Sequence, residues 1–369
     1  MRSGPLRPGQ RVQLTDRKGK PSTITLKEGG EWHTHHGVLR HETVIGRSEG
    51  IVVANDAGYE YQVLRPLLND YVLSMPRGAT VVYPKDSAQI VQVADVFPGA
   101  HVLEAGVGSG ALSISLLRAV GDAGTLNSYE LREEFAGIAR GNVEAFFGEE
   151  HPGWRIHLGD AGQKPLDVER PGTVDRVVLD MLAPWECLEM VKTVLAPGGV
   201  WVSYVSSVTQ LSRLAETIRA SRGFAEPEAH ETMVRTWHLD GLAVRPDHRM
   251  VAHTGFLLSA RRLAEGQTPL QLKKREKVSE VSVEDREAWP GTAHYSTTDA
   301  DAADAPTEAH RMTRDGPTAA DDPSATRPPE WNESALKTRS VSPRKARKAA
   351  AHAQKIAEAA KEVDESDPR

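Results

Sequence analysis

Glu104 and the glycines at 106, 108 and 110 stand in the pattern Glu-x-Gly-x-Gly-x-Gly, with Val107 and Ser109 filling the gaps. Glycine takes backbone angles that other residues avoid, and its missing side chain lets a ligand touch the main chain. The helix expected over residues 111–120 offers free N–H groups at its start. The spacing separates two chemistries. A dinucleotide fingerprint reads G-x-G-x-x-G, whereas the third glycine here comes one residue early. An acid ahead of the first glycine would repel a pyrophosphate. It suits a cationic ligand, such as the amino group and sulfonium of S-adenosylmethionine. A tight turn that serves structure alone would have the same composition, and this stretch by itself leaves both readings open.

Three more acids follow at similar places. Glu130 ends a strand-like run at 125–129, about 20 residues past the glycine turn, where an acid can accept both ribose hydroxyls of an adenosine ligand. Asp160 follows the run 154–158 and can accept a hydrogen bond from an adenine amino group. Asp180 ends the run 174–179. In an open parallel sheet, ligands bind outside the carboxyl ends of the strands. Each acid alone fits a helix cap or a solvated loop; four at one edge make a constellation. Tyr83 ends a short apolar run just before Pro84, pointing where a cleft would lie, or packing between domains.

The elements that must position these residues are legible in outline. Residues 6–66 alternate like short strands, with turns at 16–20 and at Asn55-Asp-Ala-Gly58, and predict a small barrel-like β-module of four or five strands. His33, His35, His36 and His41 lie between its hairpins as loop residues. They lack the cysteines and strict spacing of a metal site, so no metal is expected. Rings that touch a phosphate backbone or a neighbouring subunit fit them better. A helix over 67–75, a strand at 81–82 and a helix over 87–96 lead to the glycine strand. Strands and helices then alternate to residue 221, with Leu195-Ala-Pro-Gly-Gly199 as a stop signal. The runs 234–239 and 254–261 have no helix between them and read as an antiparallel closing pair. The expected fold is therefore α/β, a Rossmann-like sheet of seven strands with a reversed end, which is a methyltransferase arrangement. The domains expected are a β-module at 1–66, a catalytic domain at 67–264 with 67–86 as connector, and a tail at 265–369.

The bulk properties agree. The chain has 369 residues, 39% of them hydrophobic, a net charge of −6 and one cysteine, Cys187. No apolar run approaches the length of about 18 residues that a membrane span needs. The N-terminus has no secretory signal, and a lone cysteine cannot form an internal disulfide, so a cytoplasmic protein is expected. Cys187 reads as a small buried apolar residue. Residues 266–342 are rich in Thr, Ala, Asp, Pro and Glu and predict disorder, with a transient helix over 343–363.

Taken together, the chain resembles the bacterial tRNA (adenine-58-N1)-methyltransferase family, the TrmI type, over residues 5–264. The resemblance rests on Tyr83-Pro-Lys-Asp86, the stretch 102–112, Asp180-Met-Leu-Ala-Pro-Trp185, Arg235-Thr-Trp-His238, Arg245-Pro-Asp-His248 and His253-Thr-Gly-Phe256. The glycine motif occurs in many methyltransferases; the Asp180–Trp185 and His253–Phe256 elements are narrower. The resemblance implies a homotetramer that acts on tRNA. It implies that Glu104, Gly106, Val107, Gly108, Ser109, Gly110, Glu130, Asp160 and Asp180 hold S-adenosylmethionine. Asp180 would sit beside the methyl group and the target adenine, and Tyr83 would line the base pocket. Arg235, Arg245, His248, Arg249 and His253 would meet phosphates or make ion pairs at subunit contacts. A protein isoaspartyl methyltransferase, or an RNA-binding protein without activity, are the competing readings.

Overall fold

The computed structural model describes residues 4–270, together with Ala351 and Lys355. The tail expected from residue 265 and the helix expected over 343–363 lie outside the described residues, apart from 265–270 and those two positions.

The N-terminal part contains six strands, β1 (Arg11–Thr15), β2 (Pro21–Thr25), β3 (Glu31–Thr34), β4 (Gly37–Arg40), β5 (Ile51–Ala54) and β6 (Glu60–Leu64). Four form an antiparallel sheet in the order β2-β1-β6-β5, and β3-β4 is a separate hairpin. The sheet is open, with β2 and β5 as edges, where a barrel-like module was expected. The alternating apolar residues Val12, Leu14, Val53, Tyr61 and Val63 face one core with Leu6, Leu26 and Leu39. The histidines expected in a loop belong to the β3-β4 hairpin: His33 pairs with Val38, and His35 and His36 form its turn. His36 stacks on Tyr59 at 4.1 Å, and His41 is buried and accepts from the Lys27 amide.

The remainder is α1 (Leu68–Ser74), α2 (Pro84–Val93), β7 (His101–Ala105), α3 (Ala111–Val120), β8 (Thr125–Glu130), α4 (Glu133–Phe147), β9 (Trp154–Leu158), α5 (Lys164–Val168), β10 (Val174–Asp180), α6 (Leu188–Val194), β11 (Leu195–Val205), α7 (Val208–Ser221), β12 (Glu228–His230), β13 (Trp237–Asp240), β14 (Ala243–Pro246) and β15 (Phe256–Arg261). The sheet order is β12-β15-β11-β10-β7-β8-β9. β7 to β11 are mutually parallel, and β15 runs against β11 and β12. Both faces are covered, which is why the central strands read as continuous apolar runs. Val102, Val178, Val200 and Val202 face α2, α3 and α4. Leu103, Val177, Leu179 and Trp201 face α6 and α7, where Cys187 is buried and its thiol pushed up to about 12 by desolvation.

Two expectations fail here. Val81 and Val82 are buried but form no strand; Pro84 instead opens α2 with Tyr83 as its N-cap residue. Pro suits a first helical turn, because its missing N–H would have no partner there. The closing pair is β12 with β15, not residues 234–239 with 254–261. The expected run 234–239 lies outside this sheet: β13 pairs with β14 in a separate hairpin, and Val234 bridges Val251.

Candidate functional site

β7, β8, β9 and β10 end side by side, so the glycine turn, Glu130, Asp160 and Asp180 all lie at one sheet edge. The turn is forced to be glycine at two points. Gly106 has φ +85°, and a Cβ there would lie 1.8 Å from the Asp180 carbonyl oxygen. Gly110 has φ +80°, and its Cβ would press on Ala139 of α4 at 3.2 Å. The turn therefore lies against the end of β10 on one side and α4 on the other.

Glu130 is buried over this turn. Its Oε2 accepts from Gly108 N at 3.1 Å, and its Oε1 accepts from Arg132 N at 3.1 Å. Glu104 lies beneath. It is fully buried, and its Oε2 accepts from Ser113 and Ser128 at 2.7 and 2.6 Å. Oε1 is buried with no partner. Burial lifts the Glu104 carboxyl to about 7, with a further push from Glu130. Glu104 is thus placed under the turn rather than in an open cleft. Val107 and Ser109 are buried as well. Ser109 Oγ accepts from Gly78 N at 3.1 Å, and Asn142 Nδ2 donates both to Ser109 O and to Pro76 O at 2.9 Å. The Ser109 side chain thus anchors the connector to the turn and its carbonyl is held by Asn142, leaving its main-chain N–H as the part that can meet a ligand. Asp160 is exposed; its Oδ1 accepts from Gly162 N at 2.7 Å, and its carbonyl receives the amide of Lys164 at the start of α5.

Asp180, half-buried, lies beside Tyr204 in register. Burial raises its carboxyl to about 7, and Glu104 and Glu130 push it further. The Tyr204 hydroxyl is held near Asp86, Asp180 and Tyr83, and desolvation pushes it up to about 12. Behind it is a buried network that sequence reasoning missed. Lys85 and Asp86, from the Tyr83-Pro-Lys-Asp86 motif, pair at 2.7 Å and are 6% and 1% exposed. Lys85 also donates to Thr254 Oγ1, and Thr254 donates to Asp86 Oδ2, both at 2.6 Å. The only available signal for Tyr204 was an aromatic residue at the carboxyl end of a strand.

The expected basic group divides. Arg235, Arg245, His248 and Arg249 are exposed on the β13-β14 segment, whereas His253 pairs with Glu231 at 2.7 Å. Among the described residues, no group of three or more His, Cys, Asp or Glu is placed to hold a metal, and no helix is long and apolar enough to cross a membrane.

The residues fit S-adenosylmethionine. Three carboxyls crowd a turn whose backbone is open to close approach, one carboxylate oxygen is buried without a partner, and neither Glu104 nor Asp180 has an ion-pair partner among the described residues. A cationic ligand relieves that repulsion. Fold and site together define a Rossmann-like methyltransferase that uses S-adenosylmethionine.

Comparison with known proteins narrows the class. Residues 4–53 match the family described as TrmI-like N-terminal, and residues 58–244 match the tRNA methyltransferase complex GCD14 subunit. The tRNA (adenine(58)-N(1))-methyltransferase TrmI of Thermus thermophilus is 38% identical over 249 residues, which is 68% of this chain and 95% of the relative. The tRNA (adenine(57)-N(1)/adenine(58)-N(1))-methyltransferase TrmI of Methanocaldococcus jannaschii is 30% identical, over 67% and 93%. Among solved structures, the tRNA (m1A58) methyltransferase TrmI of Aquifex aeolicus superposes with a TM-score of 0.62 at 27% identity, covering 71% of this chain and all of its own. An S-adenosylmethionine-dependent O-methyltransferase of Thermotoga maritima gives 0.66 at 30%, covering 71% and 96%. The chain belongs to the TrmI family of tRNA methyltransferases.

Proposed function

We propose that this protein transfers a methyl group from S-adenosylmethionine to N1 of an adenine at position 58, in the T-loop of tRNA. The observation that carries the reading is the meeting of Asp180, Tyr204 and the Tyr83-Pro-Lys-Asp86 element beside the glycine turn, in a chain of the TrmI family.

S-adenosylmethionine supplies an electrophilic methyl group on a sulfonium. The main chain of Gly106 to Gly110 would cradle it, Glu130 would accept its ribose hydroxyls, and Asp160 its adenine amino group. Glu104 would add negative charge from beneath the turn. Adenine N1 is a neutral lone-pair nucleophile, so the chain's task is alignment rather than proton abstraction. Asp180 would accept from the exocyclic N6 amino group and so fix the direction of N1. Its charge would also offset the positive charge that builds on the base. The target base must leave its stack, and Tyr83 would supply a ring for it to stack on.

The expected domains, a β-module at 1–66 and a catalytic domain at 67–264, would divide the labour between RNA contact and chemistry. A homotetramer working in the cytoplasm is part of the same reading. Supporting it, Trp237, Leu239, Leu242 and Val244 of the β13-β14 hairpin are exposed apolar side chains that a second copy could cover. Light scattering should give four chains per particle.

The test is incubation of the purified protein with S-adenosylmethionine and tRNA, followed by mass spectrometry of the nucleosides. 1-Methyladenosine at one T-loop position is expected. Labelled isoaspartyl peptides with unmodified tRNA would overturn the reading, and tight binding of tRNA without modification would mark an RNA-binding protein without activity.

A further inference from the structure

The Lys85 ammonium has three hydrogens, and all are engaged: with Asp86 Oδ1 and the Thr232 carbonyl at 2.7 Å, and with Thr254 Oγ1 at 2.6 Å. Thr254 Oγ1 in turn donates to Asp86 Oδ2 at 2.6 Å, which closes a circuit of bonds among the three side chains. A buried ion pair is a weak source of stability, because desolvation offsets its attraction, but losing one member leaves the other hard to bury. What the circuit does is join distant segments. Lys85 and Asp86 lie in the first turn of α2, whose N-cap residue is Tyr83. Thr232 follows β12 and Thr254 precedes β15. One ammonium therefore ties both ends of the excursion 231–255, which carries the β13-β14 hairpin, to the segment that presents Tyr83.

Gly255 comes next in the chain. Its φ is not positive, so its own backbone does not demand glycine. Tyr204 does. A Cβ on Gly255 would fall 2.6 Å from the Tyr204 hydroxyl oxygen and 2.7 Å from the ring carbon Cε2, and closer still to Cζ. The main chain at Gly255 is thus the wall on which the far end of the phenol rests. Tyr204 packs on the same core as Val178, Val202 and Leu257. Two residues beyond Val178, Asp180 faces that side too, as the register partner of Tyr204. β10 lies between β11 and β7, so the glycine turn is on the far side of Asp180 from Tyr204.

We propose that Lys85, Asp86, Thr254 and Gly255 are positioning residues for the target base. The bonded circuit holds the Thr254–Gly255 main chain, and that main chain sets where the Tyr204 phenol stands beside Asp180, and with it the room left for the base. The inference rests on the reading of the protein as an adenine N1-methyltransferase. Transfer by alignment is sensitive to placement, and an error of about 1 Å can cost about 100-fold in rate. Because the glycine turn is on the other side of Asp180, the effect falls on the base and not on the methyl donor.

The test is a double-mutant cycle between Gly255→Ala and Tyr204→Leu, the second of which keeps apolar packing on the core and removes the far end of the ring. With Tyr204 present the added methyl must displace the phenol, and kcat/KM for tRNA should fall about 10- to 100-fold. S-adenosylmethionine affinity, read by calorimetry, should hold. With Tyr204→Leu the methyl has room, and Gly255→Ala should cost no more than about twofold. Thr254→Val opens the circuit and should lower kcat/KM for tRNA with donor affinity intact, whereas Thr254→Ser keeps the hydroxyl and should match the wild type. A general loss of folding lowers donor affinity as well and persists in both backgrounds. Equal losses from Gly255→Ala in the two backgrounds, or none with Tyr204 present, overturn the inference. Where Tyr204→Leu proves inactive, the Thr254 variants decide: valine at the wild-type rate, or serine as impaired as valine, overturns it. A wild-type protein that binds S-adenosylmethionine but methylates no tRNA overturns the proposed function itself, and the inference with it.

Discussion

Gly106 and Asp180 touch through their main chains: a Cβ on the glycine would lie 1.8 Å from the aspartate's carbonyl oxygen. The turn that would hold the methyl donor and the carboxylate that would hold the base are therefore one rigid unit. Gly106→Ala must separate the ends of β7 and β10, and it also places a side chain at φ +85°. That conformation alone costs about 1 kcal/mol or more. Binding of S-adenosylmethionine and turnover should fall together, with a lower Tm. Wild-type affinity in calorimetry would show that the ligand does not sit on this turn.

Asp180 and Glu130 should separate turnover from binding. Asp180→Ala should lower kcat about 100- to 1000-fold, the range for removing one preorganised polar group, and leave S-adenosylmethionine affinity largely intact. Glu130→Ala should chiefly weaken that affinity, because Glu130 also holds the Gly108 amide. Calorimetry and single-turnover rates showing the reverse pattern would refute both assignments.

The raised carboxyls set a pH dependence. Glu104 and Asp180 lie at about 7 in the folded protein, above their ordinary values, because of burial and mutual repulsion. Groups raised in this way contribute stability below the ordinary carboxylate range, and that contribution is lost as pH rises through about 7. The ligand-free protein should therefore lose stability from these groups between about pH 4 and 7, and the Tm gain on adding S-adenosylmethionine should grow over the same interval. Turnover runs the other way. Asp180 must be ionised to accept from the base, so kcat/KM for tRNA should rise with pH through about 7. A bound sulfonium favours the carboxylate, so the limb in kcat should lie at lower pH. Asp180→Asn should retain neither limb; a limb of the same position in that variant would assign it to another group.

Glu169 should be structurally costly to remove. It is buried, accepts from Asn127 and Tyr129 at 2.9 and 3.1 Å, and pairs with His101 at 3.1 Å. It also ends the short α5 segment that starts just after Asp160. Glu169→Ala should cost about 3 kcal/mol, as for a broken buried pair. It should also weaken S-adenosylmethionine binding through the displaced Asp160 loop. Denaturant melts and calorimetry measure the two effects.

A chain ending at Glu265 should fold, bind S-adenosylmethionine and turn over at near full rate. β15, the last strand of the sheet, ends at Arg261, and every acid proposed to act precedes Met181. The residues beyond carry two basic clusters, Lys273-Lys-Arg-Glu-Lys277 and Arg344-Lys-Ala-Arg-Lys348. Any loss of tRNA affinity should therefore be confined to low salt. A tetrameric but inactive protein at saturating tRNA would place the tail in the active site.

The glycine turn and the acids around it were legible in the sequence because they depend on local chemistry. A strand, a glycine-rich turn and a helix are specified within about a dozen residues by side-chain period and backbone freedom. The carboxyl end of each parallel strand must then fall on the same edge, so Glu130, Asp160 and Asp180 could be placed near the turn before any coordinate was known. What failed depends on partners. Val81 and Val82 are β-branched and strand-like in type yet have no strand beside them, and Pro84 starts a helix instead. The three residues of β12 are too short to announce themselves and are a strand only because β15 lies alongside. The expected closing run went instead to a hairpin of its own.

Sequence alone determined the fold class and the family, because period, turn chemistry and motif spacing are properties of the chain. It could not show that Glu104 lies under the turn rather than in a cleft, nor that Ser109 points at the connector. Those placements follow from which face of a packed element is covered. Nor could it show Lys85, Asp86 and Thr254 as one network: Thr254 and Asp86 are 168 residues apart. Only the folded chain brings them together, and a hydrogen bond has a direction only once every donor and acceptor around it is in place.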